Sequence, residues 1–133
     1  MPRRRASRVL IVGEHTFLWS IGHFHEQVDN PQSPPVYLDC REILKIRRHK
    51  AQGLLEVVFR AGKDRLVPDG FLESGAVMRN DGRALNLHEP GAARALLDEA
   101  LNGGWQPDQP GAVEVDGWEL FDAVFARRGM SKA

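Results

Sequence analysis

Cysteine is almost absent from this chain. Cys40 is the only one in 133 residues, so no disulfide can form within the chain and nothing indicates an oxidising compartment. Long apolar runs are missing as well. The run Val9–Val12 ends at Gly13, which is too short for a signal-peptide core or a membrane span. We therefore expect a cytoplasmic protein that does not insert into membranes.

Phosphate-binding glycine motifs are also missing. No G-x-G-x-x-G sequence follows a predicted strand, and no G-x-x-x-x-G-K-[ST] sequence is present. These loops cradle the phosphates of dinucleotides and nucleoside triphosphates. The sequence therefore predicts no cofactor.

The composition is that of an ordinary globular protein, with 42% hydrophobic and 27% charged residues. The length suits one domain, and no internal repeat is present. We predict a flexible basic tail over residues 1–7, a single domain over residues 8–129 and a frayed C-terminus over residues 130–133.

The net charge is zero, but its distribution is uneven. Residues 1–50 carry nine basic and five acidic side chains, and residues 51–133 carry nine and thirteen. The extreme is the segment 84–122, where Arg94 is the only basic residue beside eight acids. Such separated charge can orient a protein toward a charged partner.

The front of the chain predicts a β-meander. Short segments rich in β-branched and aromatic residues are separated by turn residues, which is typical of antiparallel strands. Asn80-Asp81-Gly82 favours a hairpin turn, and the three prolines within Asp29–Pro35 predict a loop. We expect three hairpins and one isolated strand, at residues 8–12 with 15–25, 42–48 with 54–60, 76–79 with 83–87, and 36–38.

Two helices are predicted behind these strands. The first begins at Pro90, carries leucines at helical spacing and ends at Asn102-Gly103-Gly104. The second opens at Asp116, which forms a capping box with Glu119, and ends at Gly129. Strands followed by helices indicate an α+β fold, an antiparallel meander of about six strands with both helices on one face.

The segment Leu85-Asn86-Leu87-His88-Glu89-Pro90-Gly91, the helix after it and Gly104-Trp105-Gln106-Pro107 carry a resemblance. A strand ending in proline, an amphipathic helix and a Gly-Trp-x-Pro exit are similar to a segment of small bacterial α+β proteins. The resemblance implies a fold and transfers no catalytic residue.

His23 and His25 form the most suggestive cluster for metal binding. They project from the same face of a strand, so their imidazoles can share a metal ion, with Glu26 or Asp29 completing the ligand set. The structural alternative is a pair of half-exposed histidines at a strand end. This cluster supports the hypothesis of a metal-dependent enzyme.

A basic cluster occupies residues 41–50, on the predicted strand 42–48 and the turn after it. It suits a phosphate backbone and supports a nucleic-acid-binding hypothesis. The alternative is an edge strand protected by charge. The candidate residues are Arg41, Lys45, Arg47, Arg48 and Lys50.

Nucleophilic catalysis has little support in the sequence. Cys40 with His49 or His88 offers a thiol and a base, but lone cysteines are usually buried as small hydrophobic residues. His88-Glu89 offers an acid–base pair just before a helix, where capping is the commoner role. We therefore predict no catalytic residue.

Phe17 and Trp19 alternate with Thr16 and Leu18 along one strand. Their spacing is typical of a core, but a sheet face left uncovered by the helices would bind another chain. The favoured hypothesis is a non-catalytic protein-interaction module that uses a sheet face or an edge strand. The partner is a second copy, giving a homodimer, or another protein, for example a toxin that the chain neutralises.

Overall fold

The chain forms two β-sheets and two helices in a computed structural model that describes residues 7–68 and 74–130. The α+β prediction is confirmed, with both helices in the C-terminal half. The predicted basic tail and frayed C-terminus fall almost entirely outside the described residues. The elements are β1 (Arg8–Val12), β2 (His15–Asn30), β3 (Ser33–Arg48), β4 (Gly53–Arg60), β5 (Arg65–Leu66), β6 (Ala76–Arg79), β7 (Ala84–Asn86), α1 (Pro90–Asn102), β8 (Gly111–Asp116) and α2 (Gly117–Met130).

The larger sheet has the strand order β1-β2-β3-β4-β8, and the smaller sheet has the order β5-β6-β7. Neighbours from β1 to β4 are antiparallel, so the predicted β1–β2 and β3–β4 hairpins are both present. The β6–β7 hairpin around Asp81-Gly82 is present too. The last strand, β8, runs parallel to β4.

Strands β2 and β3 are much longer than predicted and extend from the sheet as a two-stranded arm. They are 16 residues each, and the arm reverses at Pro31-Gln32. Pro34 and Pro35 lie within β3, although prolines cannot donate to a ladder. They are tolerated because β4 pairs with β3 only from Arg41 onward, so this part of β3 has one free side.

Strand β8 has no counterpart in the sequence prediction, which places no strand between the two helices. Glu114 and Asp116 are exposed. Val113 and Val115, which alternate with them, pair with Leu55 and Val57 of β4. This alternation of apolar and acidic residues is short and begins directly after Pro110 and Gly111, which are typical of loops. The sequence pattern therefore does not predict a strand here.

One face of the larger sheet carries the core. Register pairs place Trp19 opposite Ile46 and Ile21 opposite Leu44, so their side chains share that face. The helices cover it and supply the other half of the core. The buried helix residues include Ala93, Leu96, Leu97, Ala100, Phe121 and Val124. Within the described residues, neither helix has the length and apolar character needed to cross a bilayer.

The start of α2 is locked onto β4. The Asp116 carboxylate accepts from the Trp118 backbone N–H at 2.9 Å, as the predicted cap requires. The Trp118 indole N–H donates to the Arg60 carbonyl at 2.8 Å. Gly117 lies against the Phe59 ring so closely that a Cβ would stand 2.5 Å from ring atoms.

We therefore expect Gly117→Ala to destabilise the protein by about 1–3 kcal/mol, the usual cost of overpacking a core. The measurement is the free energy of unfolding in urea. Gly62→Ala is the matched control because a Cβ there meets nothing within 4 Å. Equal stability of the two variants would show that Phe59 does not constrain the start of α2.

The β6–β7 turn carries a titrating group. The Arg83 backbone N–H, followed by its guanidinium, holds the pKa of the Asp81 carboxyl below its ordinary value. A depressed folded-state pKa adds stability above about pH 4, the ordinary range of Asp, and that stability is lost as the pH falls through the folded-state pKa.

In Arg83→Ala we expect the pKa of Asp81 to rise only part of the way to its ordinary value, because the backbone donor remains. Carboxyl chemical shifts followed by NMR across the acid range measure it. Arg94→Ala, which removes a distant guanidinium, is the control. An unchanged pKa in Arg83→Ala would rule out the guanidinium as a cause.

Candidate metal centre

A β-bulge lies where the arm leaves the sheet. Phe24 pairs with Arg41, but the next pair is Glu26 with Leu38. Strand β2 therefore contributes one residue, His25, where β3 contributes two, Asp39 and Cys40. Asp39 takes up the extra residue with a left-handed backbone, at φ 54°.

His23, His25 and Cys40 lie together beside this bulge. One donor atom from each side chain lies within 4.8 Å of the other two, and the two imidazole centroids are 5.1 Å apart. Tyr37 meets the His25 ring edge-on at 4.6 Å between centroids. His23 and Cys40 are half-buried and His25 is exposed, so an ion from solvent can reach the cluster.

Glu42 orients the first of these ligands. It is fully buried and is the register partner of His23. Its Oε1 accepts from His23 Nδ1 at 2.5 Å, and its Oε2 accepts from the Gly75 backbone N–H at 3.0 Å. Because Nδ1 is engaged, Nε2 is the nitrogen left for a metal. A carboxylate behind a histidine is the usual outer-shell arrangement of metal sites.

Two imidazoles and a thiolate are ligands that Zn²⁺ and copper prefer. Ligands at the usual zinc bond lengths in a tetrahedron stand about 3.5 Å apart. The three donors need to approach one another by about 1 Å to reach that spacing. A tetrahedral ion held by three side chains keeps one position open.

The cluster differs from the set that the sequence offers. It includes Cys40, whereas Glu26 and Asp29 do not belong to it in the described part of the chain. Asp29 instead accepts from Gln27 Nε2 at 2.7 Å. The sequence pairs Cys40 only with His49 or His88 as a base, and neither of these histidines joins it in the described part of the chain. His49 lies beyond the opposite end of β3, and the His88 Nε2 meets Ser74 Oγ at 3.2 Å.

The basic cluster is partly neutralised. Arg41 pairs with Asp39 at 3.0 Å and Lys45 with Glu56 at 3.9 Å, and Arg48 pairs with Asp108. These contacts reduce the free positive charge available to a phosphate backbone.

The remaining predicted site residues lie elsewhere. Arg47 and Lys50 are exposed, and Arg47 shares the outer sheet face with Lys45. Phe17 and Trp19 are 2% and 1% exposed in the core, so they present no surface to a partner in this structure.

Glu42 is the functional candidate that sequence reasoning misses. The spacing of Cys40 and Glu42 places both on one face of a strand, which is a usable signal. The pairing of Glu42 with His23 depends on the β2–β3 register, and the proline-rich connection between these strands does not define that register from sequence alone.

Comparisons of the chain with models of known protein families, with curated proteins and with solved structures found no match.

The buried pair predicts non-additive stability effects in metal-free protein. His23→Ala leaves the Glu42 carboxylate with Gly75 as its one hydrogen-bond donor among the described residues. We expect a loss of about 3 kcal/mol, because an uncompensated charge stays buried. In His23→Ala/Glu42→Gln the loss of unfolding free energy should be smaller than the sum of the two single losses. The reason is that no buried charge is left without its partner. Urea unfolding with a chelator present measures all three variants, and strict additivity would contradict the pairing.

Proposed function

We propose that the protein binds one divalent transition-metal ion, with zinc as the favoured metal, through His23, His25 and Cys40. The observation that carries this proposal is the convergence of the three donors at the β-bulge. The buried Glu42 supports it independently, because a fully buried carboxylate requires a fixed partner and here that partner is the His23 ring.

The mixture of ligands favours zinc over magnesium or calcium, since those harder ions prefer oxygen ligands. Three protein ligands and an open position are typical of catalytic zinc sites, whereas structural sites are closed by four. A bound ion would act there as a Lewis acid on a water or a carbonyl oxygen. The half-exposed position of the cluster gives such a molecule access, which keeps a metal-dependent enzyme among the proposals.

The same ion would join the two strands of the arm. His23 and His25 lie on β2, and Cys40 lies on β3. His25 and Cys40 lie within the register shift, where the ladder between the strands is interrupted, and His23 lies just before it. Metal binding would therefore fix the direction in which the arm leaves the sheet.

We expect the purified protein to take up one Zn²⁺ per chain. His25→Ala and Cys40→Ser should each weaken the affinity by more than the 10–100-fold that loss of an outer-shell partner costs, and Glu42→Gln by about that range. Competition with a chromophoric chelator measures the affinity. Co²⁺ in place of zinc should show thiolate-to-cobalt charge-transfer absorption that Cys40→Ser abolishes.

His49→Ala is the control, because it removes an exposed histidine from a turn outside the cluster. Equal zinc affinity for His49→Ala and His25→Ala would contradict the site. Tight binding of copper with no uptake of zinc would overturn the choice of metal and leave the ligand set in place.

Protein interaction is the second candidate function. It is favoured by a separate surface, an acidic groove of about 480 Å³ beside β8. Nucleic-acid binding through residues 41–50 stays a prediction. A gel shift at low salt that Arg47→Glu removes would support it, whereas no shift at low salt would end it.

A further inference from the structure

The groove runs between the end of α1, the loop after it, β8 and the first turn of α2. Its apolar lining includes Trp105, Val113, Val115 and Leu120. Val113 is 45% exposed, which is high for a valine within a sheet. The groove therefore offers apolar contact to a second chain.

The rim of the groove is acidic. Glu99, Asp116 and Glu119 line it, and no lysine, arginine or histidine does so in the described part of the chain. The last turn of α1, which also ends here, contains no basic residue. The negative end of that helix dipole adds to the carboxylates, so the surface favours a positively charged occupant.

Strand β8 is the edge strand of the larger sheet on this side. Among the described residues it pairs only with β4, so its other edge has backbone donors and acceptors open to a further strand. Apolar and acidic side chains alternate along it. Val113 and Val115 lie on the core side, and Glu114 and Asp116 lie on the outer face with exposed carboxylates.

We propose that the β8 edge and its groove accept an extended segment of a partner protein in which arginine or lysine alternates with apolar residues. Added to β8, such a strand places its apolar side chains beside Val113 and Val115. Its cations then lie beside Glu114 and Asp116. The proposal rests on protein interaction, the second of the two proposed functions, and is independent of the metal centre.

Charge complementarity selects this occupant. An uncharged strand would gain the same backbone bonds but would bring no cation beside Glu114 and Asp116, and an acidic strand would be repelled by their carboxylates. The neighbouring Arg127 is engaged by Glu99 at 2.8 Å and Arg60 by Glu114 at 3.4 Å. The latter pair is exposed and weak, so an incoming arginine can replace it.

The test uses a fluorescein-labelled peptide of four Arg-Val repeats and the full-length protein in fluorescence anisotropy. We expect saturable binding that weakens with salt. Peptides with glutamate for arginine, or serine for valine, should bind at least about tenfold more weakly, since each removes one of the two complementary features. Glu114→Lys should also weaken binding of the Arg-Val peptide by at least about tenfold.

Glu14→Lys is the control, because it makes the same charge change at the exposed β1–β2 turn. Equal affinities of Glu14→Lys and Glu114→Lys would overturn the proposal. Equal binding of the Arg-Ser peptide would also overturn it, because charge alone would then explain binding.

Sedimentation velocity in parallel separates a second copy from a partner. A monomer in the micromolar range supports the proposal. A dimer that Glu114→Lys dissociates would assign this edge to self-association and overturn a partner segment. Zinc affinity of Glu114→Lys should equal that of the unaltered chain, so failure here and failure of the metal centre are distinguishable.

Discussion

The buried carboxylate of Glu42 holds together the part of the molecule on which the proposed function depends. It is the one buried charged side chain among the described residues, and both of its oxygens accept hydrogen bonds. One joins it to His23 within the larger sheet, and the other joins it to Gly75, just before β6 of the smaller sheet. A buried charge is retained only where its hydrogen bonds are fixed, so the pair fixes the ring and the approach of the two sheets together.

This arrangement has a consequence for metal binding. The half-buried His23 is held before any ion arrives, whereas the exposed His25 is free to adjust. A preorganised first ligand reduces the ordering cost of binding. Cys40 comes from the other strand. The register of His23 with Glu42 and of Phe24 with Arg41 places Cys40 opposite His25, next to the bulge at Asp39.

Much of the fold follows from local sequence signals, and the exceptions have physical causes. The hairpins and helices have local markers, such as Asp81-Gly82 at a turn and Asp116 with Glu119 at a helix start. The arm and β8 do not. Pro34 and Pro35 argue against a strand locally, and only the free side of β3 permits one. Strand β8 pairs with a strand about 60 residues earlier in the chain, which no local pattern encodes.

The residues of the candidate site also differ in how far the sequence predicts them. Spacing alone identifies His23 and His25 as neighbours on one face. Cys40 and Glu42 join them through strand register, and register is set by the turn and the bulge rather than by composition. The acidic groove is predicted only in part. The excess of acids over residues 84–122 is visible in the sequence, whereas the open β8 edge is visible only in the fold.

X-ray absorption at the zinc edge of the zinc-loaded protein tests the ligand set most directly. We expect a shell with one sulfur at about 2.3 Å and two imidazole nitrogens at about 2.0–2.1 Å, completed by one light atom in the open position. A shell of nitrogen and oxygen without sulfur would exclude Cys40 and contradict the metal centre described above.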